Sequence, residues 1–272
     1  MEKMIRDVSD IHTFVICAYK ESVYLEECIL SIMKQSYKSK VIISTGTPND
    51  YIDSLAQKYE LKVMVNTNHP CLANDWNYAM KLADTSLVTL AHQDDVYGKD
   101  YTKKIVSAYE NVNKPIIIFS DYGELRNGKI VCNNRLLRIK KFMLSPLKIT
   151  ALSKSRFVRR RILSFGNAIC CPAVTFVKKE IQEPLFRNNM KSNIDWQAWE
   201  LLSRQKGEFV YLPEILMLHR IHEGSTTSEL LENNARKEED IYVFKKFWPL
   251  SIAKIIEKIY QLSEKSNGDH NQ

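Results

Sequence analysis

Ser86-Leu-Val-Thr-Leu-Ala-His-Gln-Asp-Asp95 is the stretch that decides the fold. Its first six residues make an apolar run with the length of a buried strand. The run then stops on two adjacent carboxylates, Asp94 and Asp95, with few cations nearby in sequence. Such charges repel each other and cost desolvation energy unless a cation sits between them and a partner. A divalent metal on a diphosphate meets that demand, because magnesium and manganese favour one or two carboxylates together with phosphate oxygens and water. A second reading stands beside it: the pair caps the helix opening near Asp100, or forms a solvated turn.

The same pattern extends on both sides. Thr13–Cys17, Lys40–Ser44 and Lys62–Val65 are predicted strands, and Pro115–Phe119 is a fifth. Helices are predicted over Ser22–Gln35, Asp50–Tyr59, Asn74–Ala83 and Asp100–Asn111; Ser22 suits an N-cap and Glu26 and Glu27 suit a first turn. Strands alternating with helices imply an α/β fold with a parallel, doubly wound sheet. Ligands on such sheets bind beyond the carboxyl ends of the strands. There the chain places Ala18-Tyr19-Lys20-Glu21, Thr45-Gly46-Thr47 and His92-Gln93-Asp94-Asp95.

Composition narrows the function. The 272 residues are 44% hydrophobic and 26% charged, which excludes a disordered, collagen-like or coiled-coil chain. The longest apolar runs fall well short of the ~20 residues that span a bilayer. The first twelve residues carry acids where a signal peptide has its apolar core, so a cytoplasmic location is expected. No GxGxxG occurs among the eight glycines, and Gly123–Lys129 fails as a phosphate loop because Ile130 follows it. Asn127-Gly128 predicts a hairpin turn instead. The six cysteines form no CxxC pair and read as reduced core thiols. Residues 125–179 hold 14 Lys and Arg and no Asp or Glu. That belt suits a polyanionic partner, or is simply a solvated surface.

Taken in order, these pieces resemble a family 2 glycosyltransferase, over about Thr13 to Ser228. Cys17-Ala18-Tyr19-Lys20-Glu21 is similar to the segment that opens the family's nucleotide site, and Gln35-Ser36-Tyr37 to its Gln-Ser/Thr-Tyr. Asn74-Asp75-Trp76-Asn77 resembles an Asn-Trp-Asn variant, and His92-Gln93-Asp94-Asp95 the DXD region in a Gln-Asp-Asp form. Ile194-Asp195-Trp196-Gln197-Ala198-Trp199 resembles Glu-Asp-x-x-x-Trp, with Phe209–Glu214 and His219-Arg220-Ile221-His222-Glu223 following. Two departures stand out. No acid ends the second strand at Ser44-Thr45-Gly46-Thr47, where the family reads the donor base, and Ile194 replaces a Glu.

The resemblance implies a GT-A fold, with a Rossmann-like, mostly parallel central sheet flanked by helices and a C-terminal helical extension. It places a glycosyltransferase domain at 1–228, divided into a nucleotide-sugar half (about 1–122) and an acceptor half (about 123–228). Residues 229–272 form the extension, its last residues expected to be disordered. The implied reaction is inverting transfer from a nucleotide-diphosphate sugar, with a UDP-sugar favoured. The acceptor is a glycan or a lipid-diphosphate-linked glycan in bacterial surface-polysaccharide synthesis.

Asp195 is the implied base, with a helix N-cap as its other reading. Asp95 and His222 are the implied ligands of Mg2+ or Mn2+, His219 being the rival histidine. Ala18, Tyr19, Glu21, Asn74 and Asp94 are implied at the nucleotide. Arg156, Arg159 and Arg160 are implied at an acceptor phosphate or the inner-membrane surface. Ile252, Ile255, Ile256 and Ile259 make a helical stripe that packs on the domain or lies on a membrane. Nucleic-acid binding would explain the belt but not the strand-end acids. A nucleotidyltransferase would need a Gly-rich loop after the first strand, and a catalytically inactive glycan- or nucleotide-binding relative is the remaining alternative.

Overall fold

The computed structural model describes residues 6–68, 71–222 and 235–268. Glu223, the boundary near 228 and the last four residues lie outside them. Nine strands of the described residues form one sheet: β2 (His12–Ala18), β4 (Lys40–Thr45), β5 (Lys62–Val65), β6 (Leu87–His92), β7 (Val96–Tyr97), β8 (Pro115–Arg126), β9 (Lys129–Val131), β10 (Val174–Val177) and β11 (Glu208–Ile221). The remaining two, β1 (Arg6–Asp7) and β3 (Tyr37–Lys38), pair separately. The sheet runs β5-β4-β2-β6-β10-β8-β11-β7, with β9 on β8. Its first four strands are parallel, β10 is antiparallel to both neighbours, and β8 and β11 run parallel again. The carboxyl ends of β2, β4, β6, β8 and β11 therefore share one edge.

The helices are α1 (Leu25–Met33), α2 (Asp50–Lys58), α3 (Leu72–Leu82), α4 (Tyr101–Asn111), α5 (Arg135–Leu144), α6 (Thr150–Ser153), α7 (Arg156–Leu163), α8 (Ile194–Ser203), α9 (Ala235–Phe244) and α10 (Leu250–Gly268). Side chains alternate across the strands, so each strand feeds two cores. Phe14 and Ile16 pack with Leu25, Ile52 and Tyr101 from α1, α2 and α4. Val15 packs on the other side with Trp76, Trp199 and Phe244 from α3, α8 and α9. Asn127 (φ 47°) and Gly128 (φ 74°) turn β8 into β9, the hairpin the sequence predicts. Helix α1 starts later than predicted: Tyr24 is its N-cap, and Ser22 Oγ accepts from the Tyr24 N–H instead of capping the helix.

The basic belt is corrected by burial. Arg159 is 1% exposed and holds no acceptor phosphate. Its guanidinium donates to the carbonyls of Gly207 (2.7 Å), Gln205 (2.6 Å) and Ser203 (3.4 Å) at the C-terminus of α8. Burial first, and Arg156 second, lower its pKa to about 10, so it stays charged at neutral pH. Arg160 is occupied too, paired with the buried Glu200 of α8, which also takes Arg204. Only Arg156 of the three is exposed. It lies with Lys154, Lys206 and Gly207 around a shallow depression at the amino ends of β8 and β11. Asp195 stands at the other end of α8, ten residues or about 15 Å long. Composition could not show this, because a charge count does not distinguish a solvated arginine from one committed to carbonyls.

At the opposite end of α8, Glu239 of α9 accepts from the backbone N–H groups of Lys191 (2.7 Å), Ser192 (2.8 Å) and Asn193 (3.1 Å). In α10 the stripe divides. Ala253, Ile256 and Tyr260 pack on the core, while Ile252, Ile255 and Ile259 are exposed. None of the described helices is long and apolar enough to cross a membrane.

Arg159→Ala removes three carbonyl contacts from a buried site and should lower unfolding free energy by about 2–4 kcal/mol. Arg156→Ala should change it by no more than about 0.5 kcal/mol, both read by urea denaturation.

Candidate functional site

The strand-end carboxylates lie where the sequence places them, but they face different ways. Asp95 has no exposed surface. Its Oδ1 is 3.0 Å from His219 Nδ1 and accepts the Arg220 backbone N–H at 2.9 Å. Asp94 points out of the turn, with Oδ2 3.0 Å from His222 Nε2. His222 thus meets Asp94, not Asp95, and His219 meets Asp95. The reason is local: successive residues of a tight turn project to opposite sides, one into the sheet edge and the next into the cleft.

Arg220 locks the turn. Its Nε donates to the Asp94 carbonyl at 2.8 Å, a terminal nitrogen pairs with Glu27 of α1, and the guanidinium lies 4.3 Å from the Tyr24 ring. Burial opposes charge on Asp94, but His92 and His222 prevail and hold its carboxyl below the ordinary range. Burial likewise opposes charge on His219, and Asp95 and Asp94 raise its pKa nonetheless.

Metal fit is a matter of donors. His92, Asp94 and Asp95 each offer a ligand atom, and these atoms lie within 4.8 Å of one another. Asp95 Oδ2 and His92 Nε2 are buried without a hydrogen-bond partner. Two carboxylates and imidazole nitrogen with lone pairs to spare suit a divalent cation. The His92 ring stacks on Trp76 (5.2 Å between centroids), which gives the Asn-Trp-Asn segment a purpose. Asn77 of that segment clips the backbone of Phe186 through both side-chain atoms.

At the end of β2, Gln93 accepts from the Tyr19 N–H (2.9 Å) and donates to its carbonyl (3.0 Å). Lys20 follows at φ 52° and donates its N–H to Thr47. Ala18 is buried, and the Tyr19 ring and Glu21 are exposed beside it. Asn74 lies in the first turn of α3. Gln35, part of the Gln-Ser-Tyr resemblance, is scaffold: it joins α1 to α4 through Gly98 and Thr102.

Asp195 is the second residue of α8, whose N-cap is Asn193, so it does not cap the helix. Its Oδ2 accepts from Asn167 Nδ2 at 2.8 Å and its Oδ1 from the Trp196 N–H at 2.7 Å. Burial raises its pKa; Asn167, the Trp196 N–H, Lys140 and His92 pull it back. Lys140, one of fourteen cations in the belt, turns inward and donates to Tyr122 at 2.9 Å. Sequence reasoning did not single out Lys140, Asn167 or Arg220. Only Arg220 carried a signal, lying between the two histidines.

A family model described as Glycosyl transferase family 2 matches residues 13–186, more than half of the chain. Asp195, His219 and His222 lie beyond the matched residues. No curated protein sequence matches the chain. Among solved structures, S. aureus TarS superposes with a TM-score of 0.57 at 16% identity, covering 90% of this chain and 42% of that one. The chain thus spans less than half of that protein. TarS 1–349 in complex with UDP-GlcNAc gives 0.59 at 17%, covering 91% and 70%. The mannosyltransferase PcManGT from Pyrobaculum calidifontis, in complex with GDP-Man and Mn2+, gives 0.61 at 14%, covering 92% and 69%. At such identities the likeness speaks for the fold, which is the GT-A fold the sequence implied.

Because the native state holds the Asp195 proton more tightly than the unfolded chain, ionising it destabilises the fold as pH rises above its ordinary value of 3.8. Asp195→Asn should therefore unfold at equal or higher urea than the parent at pH 7. That advantage should shrink at pH 4, as chemical denaturation at the two pH values will read.

Proposed function

The chain belongs to glycosyl transferase family 2, and on that premise we propose that it moves a sugar from a nucleotide-diphosphate donor to an acceptor hydroxyl, with inversion. The observation that carries this is the His92–Asp94–Asp95 group at the strand ends.

The donor lies over the ends of β2 and β6, its nucleoside along Ala18, Tyr19, Glu21 and Asn74. The Gln93 clip holds the Tyr19 backbone that lines it. A UDP-sugar is favoured, and TarS was solved with UDP-GlcNAc. The acceptor hydroxyl loses its proton to Asp195 as its oxygen bonds to the anomeric carbon. The bond from that carbon to the diphosphate oxygen breaks, and its electron pair leaves with the diphosphate. Burial suits Asp195 to this task, since a raised pKa makes a carboxylate a stronger base. Asn167 fixes its orientation, and the charge of Lys140 favours its ionised form. Mg2+ or Mn2+, held by His92, Asp94 and Asp95 with His222 beside Asp94, would offset charge on the leaving diphosphate.

The acceptor half, about residues 123–228, takes a glycan or lipid-diphosphate-linked glycan of a bacterial capsule, O-antigen or exopolysaccharide. The exposed Ile252, Ile255 and Ile259 beside Lys254 and Lys258 support laying α10 on the anionic inner-membrane surface.

Asp195→Asn should lower turnover of a nucleotide sugar by about 10²- to 10⁴-fold while donor binding holds. Chelation should abolish turnover and added Mn2+ or Mg2+ restore it; release of nucleoside diphosphate is the assay. Full activity of the variant, or activity after exhaustive chelation, would sink the respective role.

A further inference from the structure

The sequence lacks an acid at the end of β4, yet the structure puts one there from another element. Asp75 sits in the first turn of α3, and its carboxylate fills the space above Gly46. A Cβ at residue 46 would lie 3.0 Å from Asp75 Oδ1 and 3.5 Å from Oδ2. Gly46 is not among the positive-φ residues, so glycine serves here for room and not for conformation.

The carboxylate is also aimed. Asn66, just past β5, is held by its N–H on the Thr45 carbonyl (2.8 Å) and by its Oδ1 on the Asn68 N–H (3.2 Å). Its Nδ2 donates to Asp75 Oδ1 at 2.7 Å. No described residue hydrogen-bonds Asp75 Oδ2. The charge reaches the end of β2 as well: the Cys17 thiol is pushed up to about 12, by burial first and by Asp75 second.

Position follows from register. Ser44, Cys17 and His92 are level across β4, β2 and β6. Two strand spacings, about 10 Å, separate β4 from β6. A nucleotide whose diphosphate lies at Asp94 and whose ribose crosses the end of β2, beside the exposed Tyr19 ring, therefore brings its base to Gly46 and Asp75.

We propose that Asp75 reads the base of the donor nucleotide and selects uracil or guanine over cytosine or adenine. The inference rests on the donor-site reading above. A carboxylate oxygen only accepts hydrogen bonds. Uracil N3 and guanine N1 each carry a hydrogen. Cytosine N3 and adenine N1 present a lone pair, which the carboxylate repels. An amide at this position can turn either its oxygen or its nitrogen to the base, so it cannot make that distinction. An acid in the first turn of a helix also stabilises that helix by complementing its dipole, a purely structural role. That role predicts lost stability with base preference intact.

The test is isothermal titration of UDP, GDP, CDP and ADP, each with Mn2+, into the full chain and into Asp75→Asn. The parent should bind UDP or GDP at least about tenfold more tightly than CDP and ADP, the effect of one unsatisfied polar contact. In Asp75→Asn that ratio should fall to within about threefold, with CDP and ADP bound no more weakly than by the parent. Should the variant fail to fold, the parent panel alone still decides, because equal binding of CDP and UDP overturns the proposal. An Asp75→Asn variant that keeps the parent ratio overturns it as well. A parent that binds none of the four diphosphates overturns the donor-site reading itself, and this inference with it.

Discussion

A carboxylate without exposed surface can keep its charge only if fixed donors replace the water it has lost. Asp95 finds such partners for one oxygen, Oδ1, in His219 and the Arg220 N–H, both on β11. The sheet order makes this demanding, since β10 and β8 separate β6 from β11. The turn after β6 must reach over those strands to find its donors. Register shifts in β11, between Leu212 and Ile215 and again before Met217, re-aim its last residues toward that turn. Once Asp95 is tied down, the positions of Asp94, His222 and Arg220 follow. The rest of the cleft is assembled around that buried charge.

The strands and the turn chemistry were readable because their signals are local. Apolar runs such as Val41-Ile42-Ile43 and Leu87-Val88, and the pair Asn127-Gly128, mean the same thing wherever they stand. The carboxylates at the strand ends were readable for a related reason, since they interrupt an apolar run, whereas Asp195 entered only through the resemblance to the family's Glu-Asp-x-x-x-Trp segment.

What could not be read depends on pairings distant in sequence. Arg160 meets Glu200 forty positions later, and Arg159 meets carbonyls beyond residue 202. Which histidine serves which aspartate turned on the register of β11. Asp75 gave no sign of its place, because nothing in Asn74-Asp75-Trp76-Asn77 reveals that a glycine on β4's far end leaves room for it.

Helix α8 shows how charge fixes an element in place. Glu239 covers the backbone N–H groups at its amino end, and the Arg159 guanidinium covers the carbonyls at its other end. Each charge has the sign that the peptide dipoles favour at that terminus. Along one flank Glu200 binds Arg160 of α7, so the helix is fastened sideways as well. A rod gripped at both tips cannot slide along its own axis. On the role proposed for Asp195, the carboxylate that α8 carries is a stationary post to which an acceptor hydroxyl would have to be delivered. Under that proposal, discrimination among acceptors would fall to the walls that guide the delivery, not to any reach of the helix itself.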